Sequence, residues 1–133
     1  MSFMNRNDAS SASSRTILVV EDELFIALEI KGALTKAGFG VLGPASSVDH
    51  ALDLLRDTKP DAAVLDVDLG GERVTPVALH LKALGVPFVL TTAADPVAIS
   101  QNATLAGVCN LGKPTDLHQL ADAVAAITDA TGT

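Results

Sequence analysis

The chain has one cysteine, Cys109, so no internal disulfide can form, and this usage suits a reducing cytoplasm. Tyrosine and tryptophan are absent, and the aromatics are four phenylalanines. No apolar run approaches ~18 residues, so nothing in the sequence reads as a membrane span. Positive charge is scarce: nine Lys and Arg face sixteen Asp and Glu, a net charge of −7. That balance argues against nonspecific nucleic-acid binding. Met1 to Ser14 is rich in Ser and Asn without an apolar h-region, which excludes a secretory signal and reads as a disordered arm. There are no repeats.

What is present is a series of short, regularly spaced apolar runs in a chain of 133 residues, 48% of them hydrophobic: one domain, residues 15–130, with a single core. Residues 131–133 read as a tail. The chain stops just past the last helical pattern, so no attached second domain is expected. Thr16 to Val20 is a first buried strand, ending in Glu21-Asp22-Glu23. A helix over about 24–37 follows, with Ile26, Ile30, Ala33, Leu34 and Ala37 as its core stripe and Gly38 as its stop. Leu24, Phe25 and Leu28 lie off that stripe. Phe39 to Leu42 is a weak second strand closed by Gly43-Pro44. Ser46 or Ser47 caps a helix with the stripe Val48, Ala51, Leu52, Leu55.

The central run is Ala62 to Leu65, which ends in Asp66, then Asp68 and the Gly70-Gly71 pair. A continuous apolar run of this length suits a strand buried on both faces, and a carboxylate at its carboxyl end sits where open α/β sheets place their sites. Val74, Val77, Ala78 and Leu81 give a third helix, with Pro76 in its first turn and Gly85 past its end. Val86 to Leu90 is a fourth strand, delivering Thr91 and Thr92. Asp95-Pro96 opens a fourth helix, about 96–105. Gly107 to Leu111 is a weak fifth strand, followed by Gly112-Lys113-Pro114. The final helix starts near Thr115 or Asp116, with Asp116 and Gln119 spaced as a capping box and Leu117, Leu120, Ala121, Val124 and Ile127 facing the core. His50, His80 and His118 lack metal spacing and read as surface; Cys109 reads as a small buried residue.

Five strand-then-helix units imply a parallel sheet with helices on both faces, and therefore one edge where the strand ends meet. That edge gathers Glu21 and Asp22, Asp66, Thr92 and Lys113. Clustered carboxylates repel unless a cation lies among them, and hard oxygen donors suit Mg²⁺. An aspartate oxygen beside such an ion can attack phosphorus, while a hydroxyl and an ammonium hold the phosphoryl oxygens.

These pieces, Leu18-Val19-Val20-Glu21-Asp22-Glu23, Val64-Leu65-Asp66, Thr92-Ala93 and Lys113-Pro114, resemble a response-regulator receiver domain of two-component signalling. The resemblance implies a flavodoxin-like (βα)5 three-layer fold with sheet order 2-1-3-4-5. It implies that Asp66 accepts a phosphoryl group from a histidine kinase or histidine phosphotransfer protein. Asp22, Asp66 and the Asp68 backbone carbonyl would hold Mg²⁺, with Glu21 assisting through water, and Thr92 and Lys113 would contact the phosphoryl oxygens. It also implies a cis Lys113-Pro114 bond. The Asp66 to Gly71 loop and Val86-Pro87-Phe88-Val89 further resemble stand-alone alphaproteobacterial receivers with a Phe-Ala-Thr-Gly stretch, here Leu90-Thr91-Thr92-Ala93. The usual switch aromatic, three residues before the lysine, is Asn110. The expectation is therefore that residues 92–95 rearrange on phosphorylation while Asn110 barely changes.

Leu24, Phe25 and Leu28, beside the active edge, are the expected partner-binding residues. The expected product is a cytoplasmic phospho-accepting signalling module, not an enzyme, monomeric or weakly dimeric, acting by phosphorelay or protein binding. The alternative is a phosphatase of the haloacid-dehalogenase type with Asp66 as nucleophile. Against it, Asp66 lies on the third strand rather than the first, and no second acid pair follows Lys113 in a loop.

Overall fold

The computed structural model describes residues 15–132. The expected arm over residues 1–14 lies outside the described residues. The elements are β1 (Thr16–Val20), α1 (Leu24–Lys36), β2 (Gly40–Ala45), α2 (Val48–Asp57), β3 (Ala62–Leu65), β4 (Asp68–Leu69), β5 (Glu72–Arg73), α3 (Thr75–Leu84), β6 (Phe88–Leu90), α4 (Pro96–Ser100) and α5 (Leu117–Gly132). β1, β2, β3 and β6 form a parallel sheet in the order β2-β1-β3-β6, and a single bridge from Leu90 to Asn110 marks the fifth position. This is the flavodoxin-like α/β architecture.

Alternation along the central strands divides the interior into two layers. Leu18, Val20, Ala63 and Leu65 point to one face and meet Ala51 and Leu55 of α2, Val77, Ala78 and Leu81 of α3, and Ile99 of α4. Ile17, Val19, Ala62 and Val64 point to the other and meet Ile30 and Leu34 of α1 with Leu120 and Val124 of α5. Fully burying each Leu or Ile stabilises by about 1.5–3 kcal/mol, so each helix is held chiefly by two or three such side chains. The sequence signals act as read at several ends. Ser47 accepts a bond from the His50 N–H, Asp95 from Val97, and Asp116 from His118 and Gln119. The Lys113–Pro114 bond is cis, as is Gly43–Pro44.

Several expectations are corrected. β2 runs through Gly43-Pro44 to Ala45 rather than closing before them. As an edge strand it can accommodate proline at a register shift, and Gly43 takes φ +96 there. Its last carbonyl accepts from the Glu21 N–H and so braces the acidic end of β1. On α1 the buried stripe is Ala27, Ile30 and Leu34; Ile26 and Ala33 are half-buried and Ala37 is exposed at the C-cap. α4 is one turn, not ten residues. Asn102 ends it by turning its side chain onto the Thr104 N–H and the Thr75 hydroxyl, a local bond that competes with the helix. Cys109 is exposed, because residues 107–111 lie at the uncovered sheet edge. α5 continues to Gly132, into the stretch read as a tail. No helix among the described residues is long and apolar enough to cross a membrane.

Candidate functional site

The register brings the strand ends to one edge. Asp66 N–H bonds to the Val20 carbonyl and Thr91 N–H to the Leu65 carbonyl, so Glu21, Asp66 and the Thr91-Thr92 pair emerge side by side. Glu21 and Asp66 are buried, while Asp22 is exposed at the mouth. One carboxylate oxygen from each of Glu21, Asp22 and Asp66 lies within 4.8 Å of the others.

Lys113 closes the site from the far side. Its Nζ donates to Asp66 Oδ2 at 3.0 Å and lies 2.9 Å from Glu21 Oε1, an ion pair outside hydrogen-bond angles. The other oxygens are fixed by backbone: Glu21 Oε2 accepts from the Glu23 N–H and Asp66 Oδ1 from the Asp68 N–H. Burial pushes the Glu21 carboxyl above its ordinary range, reinforced by the Asp66 charge and only partly offset by the Glu23 N–H and Lys113. Burial acts to lower the Lys113 pKa, but its pairing with Glu21 and Asp66 outweighs this and holds the ammonium above its ordinary value.

The Gly pair does more than end β3. Gly70 and Gly71 take φ +58 and +95, the two positive values a type I′ turn needs, and join β4 to β5 as a two-residue hairpin that the sequence reading lacked. A Cβ on Gly70 would lie 3.5 Å from Asp22 Oδ2, so the turn sits against the acidic mouth. Asp68 faces Arg73 across the hairpin, and their side chains pair at 3.7 Å in solvent. The Val74 N–H bonds to the Val67 carbonyl. Alternation along an antiparallel ladder then makes 68/73 a non-hydrogen-bonded pair, with the Asp68 N–H and C=O on the outer edge. The N–H on that edge reaches Asp66, and the carbonyl shares the same side. Glu72 accepts from the Val48 N–H and anchors the hairpin to the start of α2.

Thr92 is buried at the end of β6, and its Oγ1 accepts from the Ala94 N–H, leaving its own O–H free to donate. Asn110 is the residue beside the site whose bonding sequence reasoning undervalued. Its Oδ1 accepts from both the Thr92 and Gly112 N–H groups, at 3.1 and 2.9 Å, and its Nδ2 donates to the Thr92 carbonyl. Residues 92 and 110 are thus bonded to one another through the Asn110 side chain. The available signal was Asn-Leu-Gly, an asparagine two residues before a glycine, which favours a side-chain turn onto the backbone. Leu24, Phe25 and Leu28 are 65%, 81% and 49% exposed, beside the mouth at the start of α1.

Three carboxylates at two strand ends, a lysine bridging two of them and a buried hydroxyl beyond the next strand suit phosphoryl chemistry on an aspartate. Residues 17–125 match the family described as response regulator receiver domain, and the chain belongs to that family. It is 28% identical over 119 residues to the transcriptional regulatory protein PdtaR of Mycobacterium tuberculosis, covering 88% of this chain and 58% of that one. It is 34% identical over 86 residues to the sensory transduction protein LytT of Bacillus subtilis, covering 62% of this chain and 36% of that one. The chain thus spans well under two thirds of either relative. The signal receiver domain of a modulated diguanylate cyclase from Desulfovibrio desulfuricans superposes with a TM-score of 0.78 at 25% identity, covering 88% of this chain and 95% of that one. The family is one of signalling domains that accept phosphoryl groups on aspartate, and the phosphatase alternative finds no support in it.

Proposed function

We propose that Asp66 is the phosphoacceptor and that the chain works as a response-regulator receiver, receiving its phosphoryl group from a histidine kinase or histidine phosphotransfer protein. The observation that carries this reading is the Lys113 ammonium held between Asp66 and Glu21 at the sheet edge. A carboxylate oxygen of Asp66 attacks the phosphorus of a phosphohistidine. The new O–P bond forms as the P–N bond breaks, and the imidazole nitrogen keeps the electron pair and takes up a proton. The Thr92 hydroxyl and the Lys113 ammonium meet the charge on the transferring oxygens. Three acidic oxygens in reach of one another and the outer-edge Asp68 carbonyl fit Mg²⁺, which Asp22, Asp66 and the Asp68 carbonyl would hold, with Glu21 assisting through water. When bound, the ion supplies charge neutralisation for the incoming phosphoryl oxygens.

No further chemistry than self-phosphorylation and autodephosphorylation is assigned, and the product signals by relay or by protein binding in the cytoplasm, as a monomer or weak homodimer. The net charge of −7 favours protein partners over nucleic acid. Leu24, Phe25 and Leu28 form the partner surface. Beside them a groove of about 250 Å³, lined by Ile26, Glu29, Lys113, Pro114 and Leu117 among others, runs between α1 and α5 to the lysine. Intact-mass measurement with acetyl phosphate and Mg²⁺ tests the assignment: one phosphoryl group is added to the wild type and none to Asp66→Asn. An adduct on Asp66→Asn at the wild-type rate would overturn it, and sustained turnover of generic phosphate esters would revive the phosphatase.

A further inference from the structure

The fifth strand is reduced to one bridge for a reason visible in its hydrogen bonds. Around the bridge, the Leu90 N–H bonds to the Cys109 carbonyl and the Leu111 N–H to the Leu90 carbonyl, the ordinary parallel pattern. One step on, that pattern calls for the Thr92 N–H to meet the Leu111 carbonyl and the Thr92 carbonyl to meet the Lys113 N–H. Instead the Asn110 side chain makes both bonds, Oδ1 accepting from the Thr92 N–H and Nδ2 donating to the Thr92 carbonyl. A carboxamide has the donor and acceptor of a peptide unit, so it can stand in for one. The backbone after Asn110 is released from the ladder. It turns at once, with the Gly112 N–H on Asn110 Oδ1 and the Gly112 carbonyl taken by the Thr115 hydroxyl at 2.6 Å. That turn carries Lys113 inward to Asp66 and Glu21 rather than onward along the sheet edge.

We propose that Asn110 is a positioning residue for phosphoryl transfer, its carboxamide joining the backbone that bears the Thr92 hydroxyl to the turn that bears the Lys113 ammonium. This rests on the reading of Asp66 as phosphoacceptor. Both groups that face the phosphoryl oxygens then hang on one side chain, which itself touches none of the reacting atoms. The same link gives phosphorylation a route outward: a pull on Thr92 is felt by Gly112 and by the segment leading into α5. An aromatic at this position could fill space but could not bond both strands.

The test compares wild type with Asn110→Leu, which keeps the size and removes every bond, and Asn110→Asp, which keeps the two acceptor bonds and loses the donor. The rate of adduct formation from acetyl phosphate is read against Mg²⁺ affinity by calorimetry, since the acidic cluster does not touch residue 110. Displacing a reacting group by an ångström can cost on the order of a hundredfold. Asn110→Leu is expected to slow the adduct at least ~10-fold with Mg²⁺ binding not weakened, because withdrawing the Lys113 ammonium takes positive charge from the acidic cluster, and Asn110→Asp to fall between. Amide exchange at Thr92 and Gly112 should speed up in Asn110→Leu alone. A wild-type rate in Asn110→Leu, with the adduct still on Asp66, overturns the positioning role and leaves the phosphoacceptor reading intact. Rate and Mg²⁺ affinity falling together would make Asn110 merely structural. Absence of any Asp66 adduct in the wild type would overturn both readings.

Discussion

Mg²⁺ should stabilise this fold, and Asp22→Asn should uncouple the two. Glu21, Asp22 and Asp66 bring three carboxylate oxygens within 4.8 Å, and Lys113 is the one cation paired with the cluster among the described residues. Fully ionised, the group keeps two uncompensated negative charges, the complement of one divalent ion. Two like charges 4.8 Å apart at an effective dielectric of about 20 repel by about 3.5 kcal/mol. Asp22 is exposed, so solvent reduces its share to about 1 kcal/mol. Without metal, Asp22→Asn should therefore melt higher than wild type by roughly 3–5 °C, the shift per kcal/mol for a domain of this size. With Mg²⁺ the order reverses. A ligand at 100 times its dissociation constant stabilises by about 2.7 kcal/mol, so wild type should gain roughly 10 °C. Asp22→Asn, lacking a charged ligand, should gain little. Thermal melts over a Mg²⁺ titration at fixed ionic strength separate binding from screening. A flat wild-type response, or the same slope in both proteins, would refute the reasoning.

Phe25→Ala removes the most exposed apolar side chain of the α1 patch; it should weaken phosphotransfer from the cognate kinase or phosphotransfer protein at least ~5-fold, as for an interface residue worth about 1 kcal/mol, while acetyl phosphate labels it at the wild-type rate. Equal loss in both assays would mean misfolding. Glu21, with its pKa raised, binds more protons folded than unfolded between its ordinary 4.5 and the raised value, so in chelator stability should fall as pH rises through that window. Glu21→Gln should flatten that slope in denaturant melts, and Lys113 adds nothing there because its loss of charge comes only above its ordinary 10.5.

Strands and helices followed from hydrophobic period and cap chemistry wherever burial decided the structure. Ala62 to Leu65 is buried as its unbroken apolar run requires, and Val77, Ala78 and Leu81 form the inner face of α3. The acidic end of β1 and Asp66 were legible for the same reason: each directly follows a recognisable run, so parallel order fixes their common edge, whereas Lys113 follows only a weak run and reaches that edge through the turn at Gly112. The misses share a different cause. Asn102 shortens α4, Gly43-Pro44 is carried within β2, and Asn110 dissolves the fifth strand, each through backbone geometry or a side chain bonding to backbone. Hydrophobic period is blind to such substitutions, because it registers which side chains are apolar and not which polar ones replace a peptide group. Propensity reads an asparagine only as a poor strand former. Its effect here depends on Thr92 lying opposite at the next ladder position, a fact of register and not of local sequence. The part of the site hardest to read was therefore the part in which a side chain takes over the work of the sheet.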